Sequence, residues 1–74
     1  MINRRLTAII QKDGDGFTSL CPELDIASQG DTVQEAKTNL REALELFFEC
    51  APKSEIDQRL TDDIFVTQVE VMVG

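Results

Sequence analysis

Residues 21–49 read CPELDIASQGDTVQEAKTNLREALELFFE, and the order of signals in this run decides the fold. Cys21 ends an alternating segment, and Pro22, which has no amide proton, ends a β-ladder there or marks an edge. Residues 26–29 read as a short strand closed by Gly30. Thr32 followed by Glu35 fits a capping box, in which the threonine hydroxyl accepts from the amide three residues on while the glutamate reaches back. Asp31 adds negative charge at the positive end of the helix dipole. From there Val33, Ala36, Leu40, Ala43, Leu44, Phe47 and Ala51 recur at helical spacing and form one broad apolar stripe. That stripe is expected to cover a sheet. Glu35, Lys37, Arg41, Glu42, Glu45 and Glu49 populate the other side. Arg41 and Glu45 stand four apart and can pair, for about 0.3 kcal/mol. Pro52 stops the helix near Ala51.

Outward from this run the pattern is β on both sides. Residues 4–12 read as a strand, with Leu6, Ala8 and Ile10 on one face and Arg5, Thr7, Ile9 and Gln11 on the other. Asp13-Gly14-Asp15-Gly16 supplies two glycines able to take positive φ beside two aspartates that tolerate turn geometry, which is a hairpin signal. A second strand is expected over residues 17–21, with Phe17, Ser19 and Cys21 opposite Thr18 and Leu20. Residues 54–60 are expected to add a helical turn or two, tacked down by Ile56 and Leu60. Residues 64–73 are β-branched and alternate Phe65, Thr67, Val69, Val71 and Val73 against Ile64, Val66, Gln68, Glu70 and Met72, the pattern of a last strand. The expected architecture is a single two-layer α+β domain over residues 1–74, in the order β-β-β-α-β, with one sheet under one long helix.

Composition narrows the function classes. A chain of 74 residues is one small domain that buries roughly 60% of its unfolded surface. Apolar residues make up 42% and charged residues 28%, ordinary for a folded domain. The net charge of −7 repels phosphate backbones and favours a basic partner over nucleic acid. No apolar run approaches the roughly 20 residues that cross a bilayer. Cys21 and Cys50 are the only cysteines and there is no histidine. Two widely separated cysteines, with Ile2, Asn3, Arg4 and Arg5 after Met1 in place of an apolar leader, suit a reduced cytoplasm, with both thiols free. This set falls short of a four-ligand structural zinc site, and one chain holds no Cys-His or Ser-His nucleophile.

The remaining polar groups read as non-catalytic. Asp13 and Asp15 sit in a turn, whereas a two-metal nuclease needs carboxylates converging on ions about 4 Å apart. The DGDG run lacks the glutamate that closes a calcium loop. Cys21, beside Pro22 at a strand end, is expected to pack rather than react. Glu42, Glu45 and Glu49 crowd the C-terminal half of the helix, where the dipole disfavours negative charge. A face that gives up stability in this way is a candidate for binding a basic partner, and Glu23 and Asp25 on the turn after Pro22 join it as candidates.

The run Cys21-Pro22-Glu23-Leu24, then Ser28 to Thr32, then Glu35-Ala36, and finally Asn39, Leu40, Glu42, Ala43 and Leu44 resembles the central signature of the HicB-like antitoxins, over roughly residues 4–50. Many members carry a Pro-Gly-Cys step where this chain has Asp25-Ile26-Ala27. The resemblance implies a truncated ribonuclease-H-like fold, with a three-stranded meander, a helix, and a fourth strand beside the first. It also implies a non-enzymatic, cofactor-free and metal-free role: neutralising a small, basic, HicA-like toxin that cleaves messenger RNA, by covering its RNA-binding and catalytic surface. Typical members append a DNA-binding module, and the chain is expected to be a short form without one, making no direct contact with nucleic acid. The alternative is a stand-alone oligomeric domain with a regulatory or scaffolding role. A homodimer, or a tetramer, is expected from the thin core and from Leu46, Phe48, Ile64 and Val66 lying off the main stripe.

Overall fold

The computed structural model describes residues 4–60 and 64–74. Three antiparallel strands, β1 (Ile9–Asp13), β2 (Gly16–Cys21) and β3 (Ile26–Gly30), form a meander in the order β1-β2-β3. Two helices follow, α1 (Val33–Cys50) and α2 (Lys53–Leu60). The arrangement is α+β, with the long helix packed on one face of the sheet.

Turn chemistry sets the register. Asp13 pairs with Gly16, leaving Gly14 and Asp15 as a two-residue loop. Gly14 has φ +60 and Asp15 has negative φ, the type II′ pattern that matches strand twist and calls for glycine at the first central position. The pairs Ile10–Ser19 and Ser19–Ser28 place these side chains under the helix, while Ile9, Leu20 and Ala27 form a row on the far face. Gly30 is required by packing: a Cβ there would stand 2.5 Å from the Ala36 backbone nitrogen.

The helix start forms as the sequence predicts, with one difference. Thr32 is the N-cap, and its hydroxyl accepts from the Glu35 amide at 3.0 Å. Glu35 reaches past the cap residue and accepts from the Asp31 amide at 3.4 Å. Pro52 ends α1 and serves α2, since its carbonyl accepts from Glu55 and Ile56. The Ser19 hydroxyl, buried with no apolar neighbour able to satisfy it, donates to the Ala36 carbonyl at 2.9 Å.

The core is thin. Cys21, Leu24 and Leu40 are fully enclosed, with Leu6, Ile26, Leu44, Phe47, Phe48 and Leu60 packed around them. Ala36 is buried where the helix crosses the sheet, whereas Val33, at the head of the predicted stripe, is exposed. The helix lies mainly over β3, less over β2 and least over β1.

Two expectations need correction. The first strand begins at Ile9, not at residue 4. Continuing the register would set Thr7 opposite Pro22, which has no amide to give, and the Thr7 amide donates instead to the Glu23 carboxylate at 2.9 Å. The predicted fourth strand is absent from the sheet: residues 64–74 lie in neither helix nor strand and are exposed throughout. Val69 and Val71, on one row of the predicted strand, are 79% and 70% exposed. Alternation describes what a segment can pair as, but a ladder also needs an edge placed to receive it. Among the described residues no hydrogen-bonded ladder joins the segment to β1.

Candidate protein-binding face

Glu42, Glu45 and Glu49 are all exposed on α1. At 100° per residue their spacing places them within about 60° of arc, on the side turned away from the sheet. None of the three takes part in an ion pair among the described residues; the pairs there are Lys53–Asp57 at 3.0 Å and Arg59–Glu55 at 3.4 Å, both within α2. The expected Arg41–Glu45 pair is therefore not made. Leu46, 59% exposed, stands beside the carboxylates. The last turn of α1 carries no basic residue, and Glu49, the one of the three within that turn, faces the negative end of the helix dipole. Arg41 lies about 40° around the axis from Glu45 and Lys37 about 40° beyond it, so the two cations flank the carboxylates on the exposed part of the helix.

Glu23 and Asp25 lie on the turn between β2 and β3, apart from the helix stripe. Glu23 is half-buried and already engaged: Oε2 accepts from the Thr7 amide and from the Thr7 hydroxyl at 2.7 Å, and Oε1 accepts from the Cys21 thiol at 3.5 Å. Burial alone would raise its pKa, but the donors from the Thr7 hydroxyl, the two backbone amides and the thiol outweigh this and hold it below the usual value. Burial pushes the Cys21 thiol up; a backbone hydrogen bond at Leu24 opposes the rise and Glu23 adds to it. Cys21 is buried and free, and Cys50 is exposed and free. Glu23 thus clamps the N-terminal segment to the turn. Asp25 is exposed with φ 54, a left-handed conformation that costs a residue with a Cβ roughly 1 kcal/mol.

Two features of this region escaped the sequence reading. Leu24 is 1% exposed although it sits in a turn. Arg59 donates to its carbonyl, lies 5.3 Å from the centroid of the Phe47 ring and pairs with Glu55. One guanidinium therefore ties α2 to both the turn and α1. Asp13 and Asp15 remain on the hairpin, exposed, and no group of three His, Cys, Asp or Glu side chains among the described residues is placed to hold a metal ion. No helix among those residues is long and apolar enough to cross a membrane.

Comparison with known proteins finds a relative in a UPF0150 protein of Synechocystis sp., 48% identical over 46 residues. The match covers 60% of this chain and 64% of the relative, so the chain spans less than two thirds of that protein. No family model matches the chain, and no solved structure matches it.

Proposed function

We propose that this chain is a protein-binding domain of antitoxin type, which neutralises a small basic RNA-cleaving toxin by covering its RNA-binding surface. The observation that carries this reading is the acidic stripe of Glu42, Glu45 and Glu49, exposed and without an ion-pair partner among the described residues, on a helix whose last turn carries no basic residue. The spacing of the residues from Cys21 to Leu44, similar to the HicB-like signature, supports it, and so does the UPF0150 relative. A toxin surface built to bind phosphates is basic, and a carboxylate stripe beside the exposed Leu46 offers it charge complementarity around an apolar contact. No group on the chain is given a catalytic role.

The test is co-purification with the product of a toxin-like reading frame neighbouring the gene, followed by an RNA-cleavage assay on the complex. A stable complex with cleavage suppressed is expected. Changing Glu42, Glu45 and Glu49 together to Gln should slow association at low salt by about tenfold or more and flatten its salt dependence. No complex at micromolar concentration would overturn the reading, and an unchanged association rate would remove the stripe from it.

A further inference from the structure

The eight residues of α2 are held differently from the rest of the fold. The fully enclosed apolar side chains, Cys21, Leu24, Ala36 and Leu40, come from β2, the turn after it and α1. No residue of α2 is buried, and from α2 Leu60 alone packs against that core. A free helix of this length is marginal in water, so α2 keeps its shape through what it is docked on.

The tie that joins it to the body of the fold is Arg59. Its guanidinium donates to the Leu24 carbonyl, stands 5.3 Å from the centroid of the Phe47 ring and pairs with Glu55 at 3.4 Å. Glu55 belongs to α2 and moves with it, so the docking groups are the carbonyl and the aromatic face. Leu24 lies outside both flanking strands, and its carbonyl is met by a side chain rather than by a ladder amide. Both docking groups sit on the rigid part of the molecule: the Leu24 side chain is 1% exposed and Phe47 is on α1. A carbonyl acceptor beside an aromatic face suits a planar, forked guanidinium and suits a compact, strongly hydrated ammonium poorly. The receiving site therefore belongs to the core, whereas its occupant belongs to a short, shallowly packed helix that begins directly after Pro52.

We propose that the Leu24 carbonyl and the Phe47 ring form a binding site for an arginine side chain, that Arg59 fills this site in the free chain, and that α2 opens about Pro52 to yield it to an arginine of a basic partner protein. The contact is autoinhibitory, because one guanidinium must leave before another enters, and the partner's apparent affinity is reduced by the fraction of molecules that are closed. Opening is local: α2 melts while the sheet and α1 keep their packing. The acidic stripe takes no part, so this inference stands or falls separately from the toxin-binding reading.

The test uses the full chain. In native-state hydrogen exchange the amides of residues 57–60 should exchange at least about tenfold faster than those of residues 40–44, and Arg59→Gln should speed them by about tenfold more while residues 17–21 and 40–44 stay unchanged. The probe for the site is the capped peptide acetyl-Gly-Arg-Gly-amide, with its lysine counterpart as control. In Arg59→Gln the arginine peptide should shift the Phe47 ring signals and the Asp25 amide at millimolar concentration, the wild type should need at least about tenfold more peptide, and the lysine peptide should shift neither. Equal exchange of α2 and α1 in the wild type, or unchanged α2 exchange in Arg59→Gln, would overturn the proposal. So would equal response to the arginine and lysine peptides, or equal response of variant and wild type. Should Arg59→Gln fail to fold, Arg59→Lys, which keeps the charge and loses the planar fork, takes its place with the same outcomes expected.

Discussion

Leu24→Ala isolates the least expected part of the core. Leu24 sits in a turn between two short strands, where a large aliphatic side chain is ordinarily wet, yet it is 1% exposed and touches Cys21 and Leu40. Truncation removes the equivalent of three methylene groups, about 2.4 kcal/mol at about 0.8 kcal/mol each. The surrounding structure relaxes only in part, and a residual cavity carries measured Leu→Ala costs to about 2.7–5.0 kcal/mol. The Arg59 bond to the Leu24 carbonyl holds the turn in place and limits collapse into the space, so a cost of about 3 kcal/mol is expected. A domain of this length has a total stability of about 4–11 kcal/mol, and the loss should lower the melting temperature by more than 10 °C at about 4–8 °C per kcal/mol. Urea titration followed by circular dichroism measures it, with Leu40→Ala as the reference for a buried helix position. Because the two side chains touch, the double variant should cost less than the sum of the singles. A cost below about 1 kcal/mol for Leu24→Ala, beside a normal cost for Leu40→Ala, would refute the view that this turn belongs to the core.

Two further outcomes follow from the same turn. Asp25 has φ 54, so Asp25→Gly should be neutral or stabilising by up to about 1 kcal/mol, while the β-branched Asp25→Val should cost about 1–2 kcal/mol by urea titration; equal stability of the two variants would contradict the left-handed assignment. The Glu23 carboxyl is held below its usual pKa, so it stabilises the fold above its unfolded value of about 4.3 and loses that contribution as pH falls through the lower folded value. Thr7→Val removes the hydroxyl donor and should cost about 1 kcal/mol at neutral pH, the cost shrinking as acidification protonates the carboxyl; a cost unchanged on acidification would show that the hydroxyl does not act through the carboxylate.

What the sequence disclosed was local. Thr32, Glu35 and Gly14 report their own geometry within three or four residues, which is why the helix start and the hairpin turn were legible. Ile56 and Leu60 sufficed for α2, and helical spacing alone placed Glu42, Glu45 and Glu49 together. Leu24 was not legible as core because it lies off every period, in a turn whose burial depends on Arg59, 35 residues further along. The start of β1 was hidden for a related reason: Leu6, Ala8 and Ile10 alternate well, but Pro22 withdraws a ladder donor and Glu23 takes the Thr7 amide. The Arg41–Glu45 spacing permits a pair, yet none forms among the described residues, because exposed ion pairs of this kind are too weak to fix two long side chains. The last segment alternates as a strand does, yet it lies in neither helix nor strand. Strand character belongs to a segment, whereas pairing belongs to two.

Glu45 lines an open groove between the N-terminal segment and α1, together with Leu6, Lys37, Arg41, Leu44 and Phe48, whereas Glu42 and Glu49 do not. Glu42 and Glu49 point away from the sheet, whereas Lys37, Arg41, Leu44 and Phe48 face the groove. Glu45 is the exception, since it belongs to the stripe and also lines the groove. Of the three carboxylates it is the one whose replacement by Gln changes the charge of the groove as well as of the stripe, so equal slowing of partner association by single Gln variants at Glu45 and Glu49 would assign the effect to the stripe alone.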